Sequence, residues 1–145
     1  MSMLPKRALK EVVKVSKTAT VMDAVRAMAK SRVGAVVVLD EHKLLGVFTE
    51  RDVVTRVVLE KRDTESTRVA DVMTTSVLTV RDDADRSQAL RLMIDNHIRH
   101  LPVIDKDGRV AAMLSMRHLL REDIQELRQT VWALVADSAA DGAGG

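Results

Sequence analysis

Cysteine is absent from the 145 residues, which removes disulfide frameworks, thiolate zinc sites and cysteine nucleophiles together. Aromatic side chains are reduced to Phe48 and Trp132, too few for the stacking platforms on which single-stranded nucleic acids are bound. No apolar run, Ala35 to Leu39 among them, approaches the ~20 residues needed to cross a bilayer. The N-terminus lacks an apolar segment followed by a small-residue cleavage site, which predicts no secretory leader and a cytoplasmic protein. No Gly-rich phosphate loop, nucleophile elbow or carboxylate dyad is present, so the sequence proposes no reaction and the chain is expected not to be an enzyme. Excess charge of one sign is also slight, at +2. It is unevenly spread: Lys6, Arg7, Lys10, Lys14 and Lys17 face only Glu11 before residue 20. Such a lead-in is either a solvated end or a weak contact for nucleic acid, and the near-absence of aromatics favours the first.

With 46% hydrophobic and 30% charged residues, the chain can bury a core and remain in solution. Its length suits one domain, or two small units sharing a core. The second arrangement is written in the sequence itself. A shift of 65 residues aligns Val12 with Val77, Val15 with Val80, Ala24 with Ala89, Arg26 with Arg91, Met28 with Met93, Val38 with Val103 and Asp40 with Asp105. One extra residue in the turn Lys106-Asp-Gly108 moves the shift to 66, which pairs Thr49 with Ser115 and Arg51 with Arg117. This is a tandem duplication.

Each copy reads as strand, helix, strand, strand, helix. In the first, Glu11 to Val15 is a short strand, and Thr20-Val-Met-Asp23 is a capping box opening a helix with Val21, Ala24, Val25 and Met28 on one face. Ala35–Leu39 and Leu44–Phe48 form a hairpin around Asp40-Glu-His-Lys43. The second copy runs through Val77–Val80, a helix from Asp85 to His97, Leu101–Ile104, Val110–Leu114 and a helix from Ser115. Val69 to Met73 reads as one helical turn. Continuous apolarity along the strands predicts that both of their faces are covered. A lone repeat would bury too little surface, so the two copies are expected to pack together. The fold class is therefore α+β: two β-α-β-β-α repeats related by pseudo-two-fold symmetry. The units are residues 9–60, a linker over 61–74, residues 75–121, a helical extension over 122–136 and a fraying tail over 137–145.

Two motifs at one repeat spacing add to this reading. Gly46-Val-Phe-Thr-Glu-Arg-Asp52 is similar to a G-h-h-T/S-x-x-D pattern, and Ile98-Arg-His-Leu-Pro-Val-Ile-Asp105 to I-x-x-L-P-V-V-D. With Val69-Ala-Asp-Val-Met73 ahead of the second copy, residues 9–121 resemble a tandem cystathionine-β-synthase (CBS) domain pair, or Bateman module. The resemblance implies a regulatory module that binds adenosine-containing ligands (AMP, ADP or ATP, with NAD and S-adenosylmethionine as further candidates) between the repeats. It also implies a disc-shaped homodimer that acts on an unidentified protein partner.

By the same resemblance, the first cleft takes Gly34, Ala35, Thr49, Arg51 and Asp52 from the first copy, with Asp85 or Arg86 from the second. Asp52 would hold the ribose diol, Thr49 would lie near the phosphates, and Arg86 would be the phosphate clamp. Each has a plain structural reading as well. Thr49 and Asp52 suffice as a helix cap, and Arg86 as an exposed residue of a first turn. The second cleft would take Thr20, Arg99, His100, Ser115 and His118. Here Ala112 and His118 stand where Gly46 and Asp52 stand in the first copy, so this cleft either loses ribose binding or uses His118, Arg99 and His100 on a phosphate. The four histidines offer no i,i+4 pair on one helix, so no metal is expected.

The last helix departs from a plain repeat. Leu120, Ile124, Leu127, Val131 and Leu134 step by 4, 3, 4 and 3, a seam that either joins a second copy, with Trp132 on its flank, or folds back on its own core. The sequence thus predicts a nucleotide-sensing module. Its rivals are a constitutive dimerisation or adaptor module with vestigial clefts and, more weakly, a nucleic-acid contact.

Overall fold

The computed structural model describes residue 4, residues 9–10 and residues 12–142. The basic Lys6 and Arg7, and Glu11 of the expected first strand, lie outside the described residues.

Chain order runs β1 (Leu9–Lys10), β2 (Lys14–Ser16), α1 (Val21–Ser31), β3 (Ala35–Asp40), β4 (Lys43–Thr49) and α2 (Glu50–Asp52), which continues as a π-helical segment over Val53–Val58. A 3-10 turn at Val69–Asp71 leads to β5 (Val80–Arg81), α3 (Arg86–Asp95), β6 (His100–Ile104), β7 (Val110–Ser115) and α4 (Met116–Gly142). The capping box expected at the start of α1 forms. Thr20 Oγ1 accepts from the Asp23 amide at 3.1 Å while the Asp23 carboxylate accepts from the Thr20 amide at 3.0 Å. Asp85 accepts from the Ser87 amide at 3.2 Å at the start of α3.

Two sheets form, β2-β3-β4 and β1-β7-β6-β5. The expected strand Glu11–Val15 is replaced by two short pieces that belong to different sheets. β1 pairs antiparallel with β7 of the second repeat, whereas β2 pairs parallel with β3 of the first. The chain therefore begins on one repeat and crosses to the other, which local periodicity cannot reveal. The duplication is otherwise followed closely: register shifts interrupt the hairpins between Val38 and Leu39 and, 65 residues on, between Val103 and Ile104. Left-handed residues end the helices at the equivalent Arg32 and His97, with φ of 54° and 55°.

Alternation along the strands divides the core into three layers. Val36, Val38 and Phe48 turn toward Val21, Ala24 and Met28 of α1, joined by Val57 and Val69. In the second repeat Leu101, Val103 and Leu114 meet Ala89 and Met93 of α3 and Leu119 of α4. The opposite faces of the two sheets meet each other, where Ala35, Val37 and Val47 pack on Val110 and Met113. This middle layer explains why the strands are apolar without alternation.

The linker is bound to the first sheet. Val47 and Thr74 exchange backbone hydrogen bonds at 3.0 and 2.9 Å. That crossing explains Gly46, where a Cβ would lie 2.5 Å from Met73 Sδ and 2.7 Å from the Thr74 carbonyl oxygen. The end of the chain differs from the expected fraying tail, because α4 continues to Gly142. Ser138-Ala-Ala140 extends it, and alanine has the strongest helix propensity of any residue.

Candidate functional site

A cleft of about 750 Å³ opens between the repeats, within the size range of small-molecule sites. Its parts come from three places. The first repeat supplies Gly34 and the β4–α2 junction from Thr49 to Asp52; the end of the linker and the segment leading into β5 supply Thr74, Ser76, Val77 and Leu78; the second repeat also supplies the α3–β6 loop from Asn96 to Arg99, with His100 and Pro102.

At the junction, Thr49 caps α2. Its Oγ1 accepts from the Asp52 amide at 3.2 Å, and the Asp52 carboxylate accepts from the Thr49 amide at 3.0 Å. Asp52 is the only charged residue buried among the described residues, at 7% exposure. Its second oxygen lies 3.6 Å from Nε of Arg56, whose guanidinium donates to the Met73 carbonyl at 2.8 Å. One carboxylate thus ties the helix start to the linker wall while lining the cleft. The Glu50 amide donates to the Gly34 carbonyl at 3.0 Å, and the equivalent Met116 amide donates to Arg99 at 2.9 Å, so both repeats fasten the helix start to the strand start.

His100 lies across the repeat boundary. A Cβ on Gly34 would come within 3.3 Å of the His100 ring and 3.6 Å of the Glu50 carboxyl carbon, so the glycine leaves room for the imidazole. Burial holds the His100 pKa below its ordinary value; Glu50 opposes this, and Arg99 and His118 reinforce it. The ring is therefore held toward its neutral form. Arg51 and Arg99 bring positive charge to the same cavity, and Val77, Leu78, Ile98 and Pro102 give it apolar wall.

Gly34, Thr49, Arg51 and Asp52, four of the six residues expected of the first cleft, line this one cavity. Arg99 and His100, expected in a second cleft, line it too. Ala35 points into the middle layer of the core. Arg86 lies outside the lining of this cavity: its guanidinium ion-pairs with Asp123, lies 3.7 Å from Glu126 and donates to the Leu119 carbonyl at 3.0 Å, so it braces α4. The reason is the direction of α3. Its start, with Asp85 and Arg86, faces α4, and the far end of the helix, ~15 Å away, reaches the cleft through Asn96 and His97. Thr20, Ser115 and His118 also lie outside this cavity. Thr20 caps α1 and bridges Arg68, Ser115 stands opposite His100 in the β6–β7 ladder, and His118 sits in the first turn of α4. Reasoning from the sequence missed the wall from Thr74 to Leu78 and, in the α3–β6 loop, Asn96, His97 and Ile98, while it assigned Arg99 of that loop to a second cleft. The Val47–Thr74 crossing and the Arg56 bond to the Met73 carbonyl bring the linker there, and Gly46 was the local signal of the crossing.

The CBS domain family model matches the chain twice, at residues 7–59 and 69–124. The mitochondrial CBS domain-containing protein CBSX3 of Arabidopsis thaliana is 38% identical over 122 residues, covering 81% of this chain and 59% of that protein. This chain spans about three fifths of the first curated relatives it matches, 59% in each of two. Among solved structures, a protein with CBS domains from Burkholderia ambifaria superposes with a TM-score of 0.75 at 34% identity, covering 80% of this chain and 85% of the other. A CBS domain protein from Pyrobaculum aerophilum complexed with AMP has a TM-score of 0.74 at 29% identity, covering 84% and 95%.

Proposed function

The chain belongs to the CBS-domain family and carries two such domains in tandem; from that premise we propose that it is a regulatory sensor of an adenine nucleotide. The observation that carries this reading is the cleft between the repeats, which gathers a buried carboxylate, two arginines and an apolar wall. AMP in the related Pyrobaculum aerophilum protein supports the same class of ligand.

In this reading the base lies against Val77, Leu78 and Ile98, Asp52 accepts from the ribose hydroxyls, and Arg51, Arg99 and Thr49 receive the phosphate. A diol is selected because a sugar lacking one hydroxyl leaves a buried carboxylate oxygen without its donor. AMP, ADP and ATP are the leading ligands, with NAD and S-adenosylmethionine next. The ligand bridges both repeats and the linker, so its binding shifts the population toward a closed arrangement of the three. That change is passed to a protein partner by a cytoplasmic homodimer that catalyses no reaction itself.

Thermal unfolding with and without each nucleotide tests this. A ligand at 100 times its dissociation constant adds about 2.7 kcal/mol of stability, several degrees for a domain of this size. Arg99→Ala and Asp52→Asn are each expected to abolish the shift. If no nucleotide shifts the wild type, the sensor reading fails. The adaptor reading, favoured by the exposed apolar residues of α4, then takes its place.

A further inference from the structure

α4 is 27 residues long, about 40 Å, and only its first turns touch the body. Leu119 is buried in the second repeat, and Arg86 holds the Leu119 carbonyl, Asp123 and Glu126. From Ile124 to Ala140 every residue is exposed. That projecting length carries large apolar side chains, among them Ile124 at 54%, Leu127 at 64%, Val131 at 51% and Leu134 at 64% exposure. They form one stripe with Leu120, about a quarter-turn round the helix from the face that Arg86 and Leu119 fix. The stripe is therefore presented beside the body, with room for another helix along it.

The order of residue types in the stripe identifies that helix. In heptad terms Ile124 and Val131 occupy a positions, and Leu120, Leu127 and Leu134 occupy d positions. β-branched residues at a with leucine at d favour two parallel strands. The flanking charges agree. Arg128 falls at e, which across a parallel pair faces the g position of Asp123, a carboxylate already paired with Arg86 of its own chain. An antiparallel pair would set e against e, placing Arg121 and Arg128 against arginines of the other copy. Two heptads are too few to associate as a free peptide. Here the helix is already nucleated by its anchorage to the body.

We infer that α4 joins two copies of this chain as a parallel two-stranded coiled coil over Leu120–Leu134, with the two bodies on opposite sides of its axis. This deepens the homodimer of the proposed function by assigning its surface and orientation, and it does not depend on the nucleotide. It makes α4 the element through which both copies report to a partner.

Light scattering of the full chain is expected to give twice the chain mass. Leu127→Asp is expected to halve it with the unfolding temperature of the body retained, since Leu127 is exposed in the single chain. Arg128→Asp, which sets like charges across the pair, is expected to weaken association at least tenfold. The chain has no cysteine, so Leu134→Cys reports orientation directly: oxidation is expected to cross-link the two copies at that one position. A monomeric wild type overturns both the homodimer and this seam. A dimer that survives Leu127→Asp leaves the homodimer standing and overturns the seam. A Leu134→Cys dimer that stays uncross-linked overturns the parallel orientation.

Discussion

At the scale of single residues, Gly34 in the cleft wall and Gly46 beside it serve opposite purposes. Gly46 admits the linker backbone, and Gly46→Ala drives a methyl group into Met73 and the Thr74 carbonyl. The methionine can yield but the carbonyl cannot without breaking the Val47–Thr74 bridge, so a loss of about 1–3 kcal/mol is expected in denaturant unfolding. The equivalent position, Ala112, carries its methyl group within the core. Gly34 instead makes room for His100, whose neutral form the fold favours. Below the ordinary value of 6.5 the unfolded chain takes up a proton that the folded chain resists. The stability this confers is present above pH 6.5 and is lost as pH falls from there through the lower folded-state value. Melting temperatures from pH 8 to 5 are therefore expected to fall more steeply for wild type than for His100→Gln. Parallel curves would show that the imidazole is not the cause. The capping box at Thr49 was legible from the sequence because it is built within four residues. The burial of Asp52 and its tie to Arg56 were not, because they depend on where the linker lies.

At the scale of elements, α3 and α4 are joined by one side chain. Arg86 is only 12% exposed and spends its donors on Leu119, Asp123 and Glu126. Arg86→Gln is expected to cost about 2 kcal/mol, because it removes charged hydrogen bonds at a half-buried helix junction. It should leave any nucleotide-induced shift in melting temperature unchanged. A phosphate clamp would give the reverse, with little loss of stability and the nucleotide response abolished. Helix α3 itself was read correctly to within about two residues, since its cap and apolar period are local. Which of its ends meets the cleft is set by how β5 and β6 seat it on their sheet, and no periodicity carries that information.

For the whole molecule, the decisive feature is the middle layer. Ala35, Val37 and Val47 are buried only because Val110 and Met113 cover them, and β1 closes the second sheet from the first repeat's side of the chain. Neither repeat is complete alone. A fragment of residues 12–74 is expected to lack the circular dichroism of folded protein, while the intact chain unfolds in one transition. A cooperatively folded fragment would show that the middle layer is dispensable. By itself the sequence determined the duplication, the order of the elements, the helix caps and the apolar seam of α4, because each is written in residues close together or at a fixed repeat distance. Only the tertiary structure decided that β1 belongs to the second repeat's sheet, that Arg99 and His100 share a cavity with Asp52, and that Arg86 is a brace. Those outcomes follow from the direction in which packed helices and a hydrogen-bonded linker run across the two sheets. Directions of that kind are fixed by burying a common core, not by any neighbouring residues in the chain.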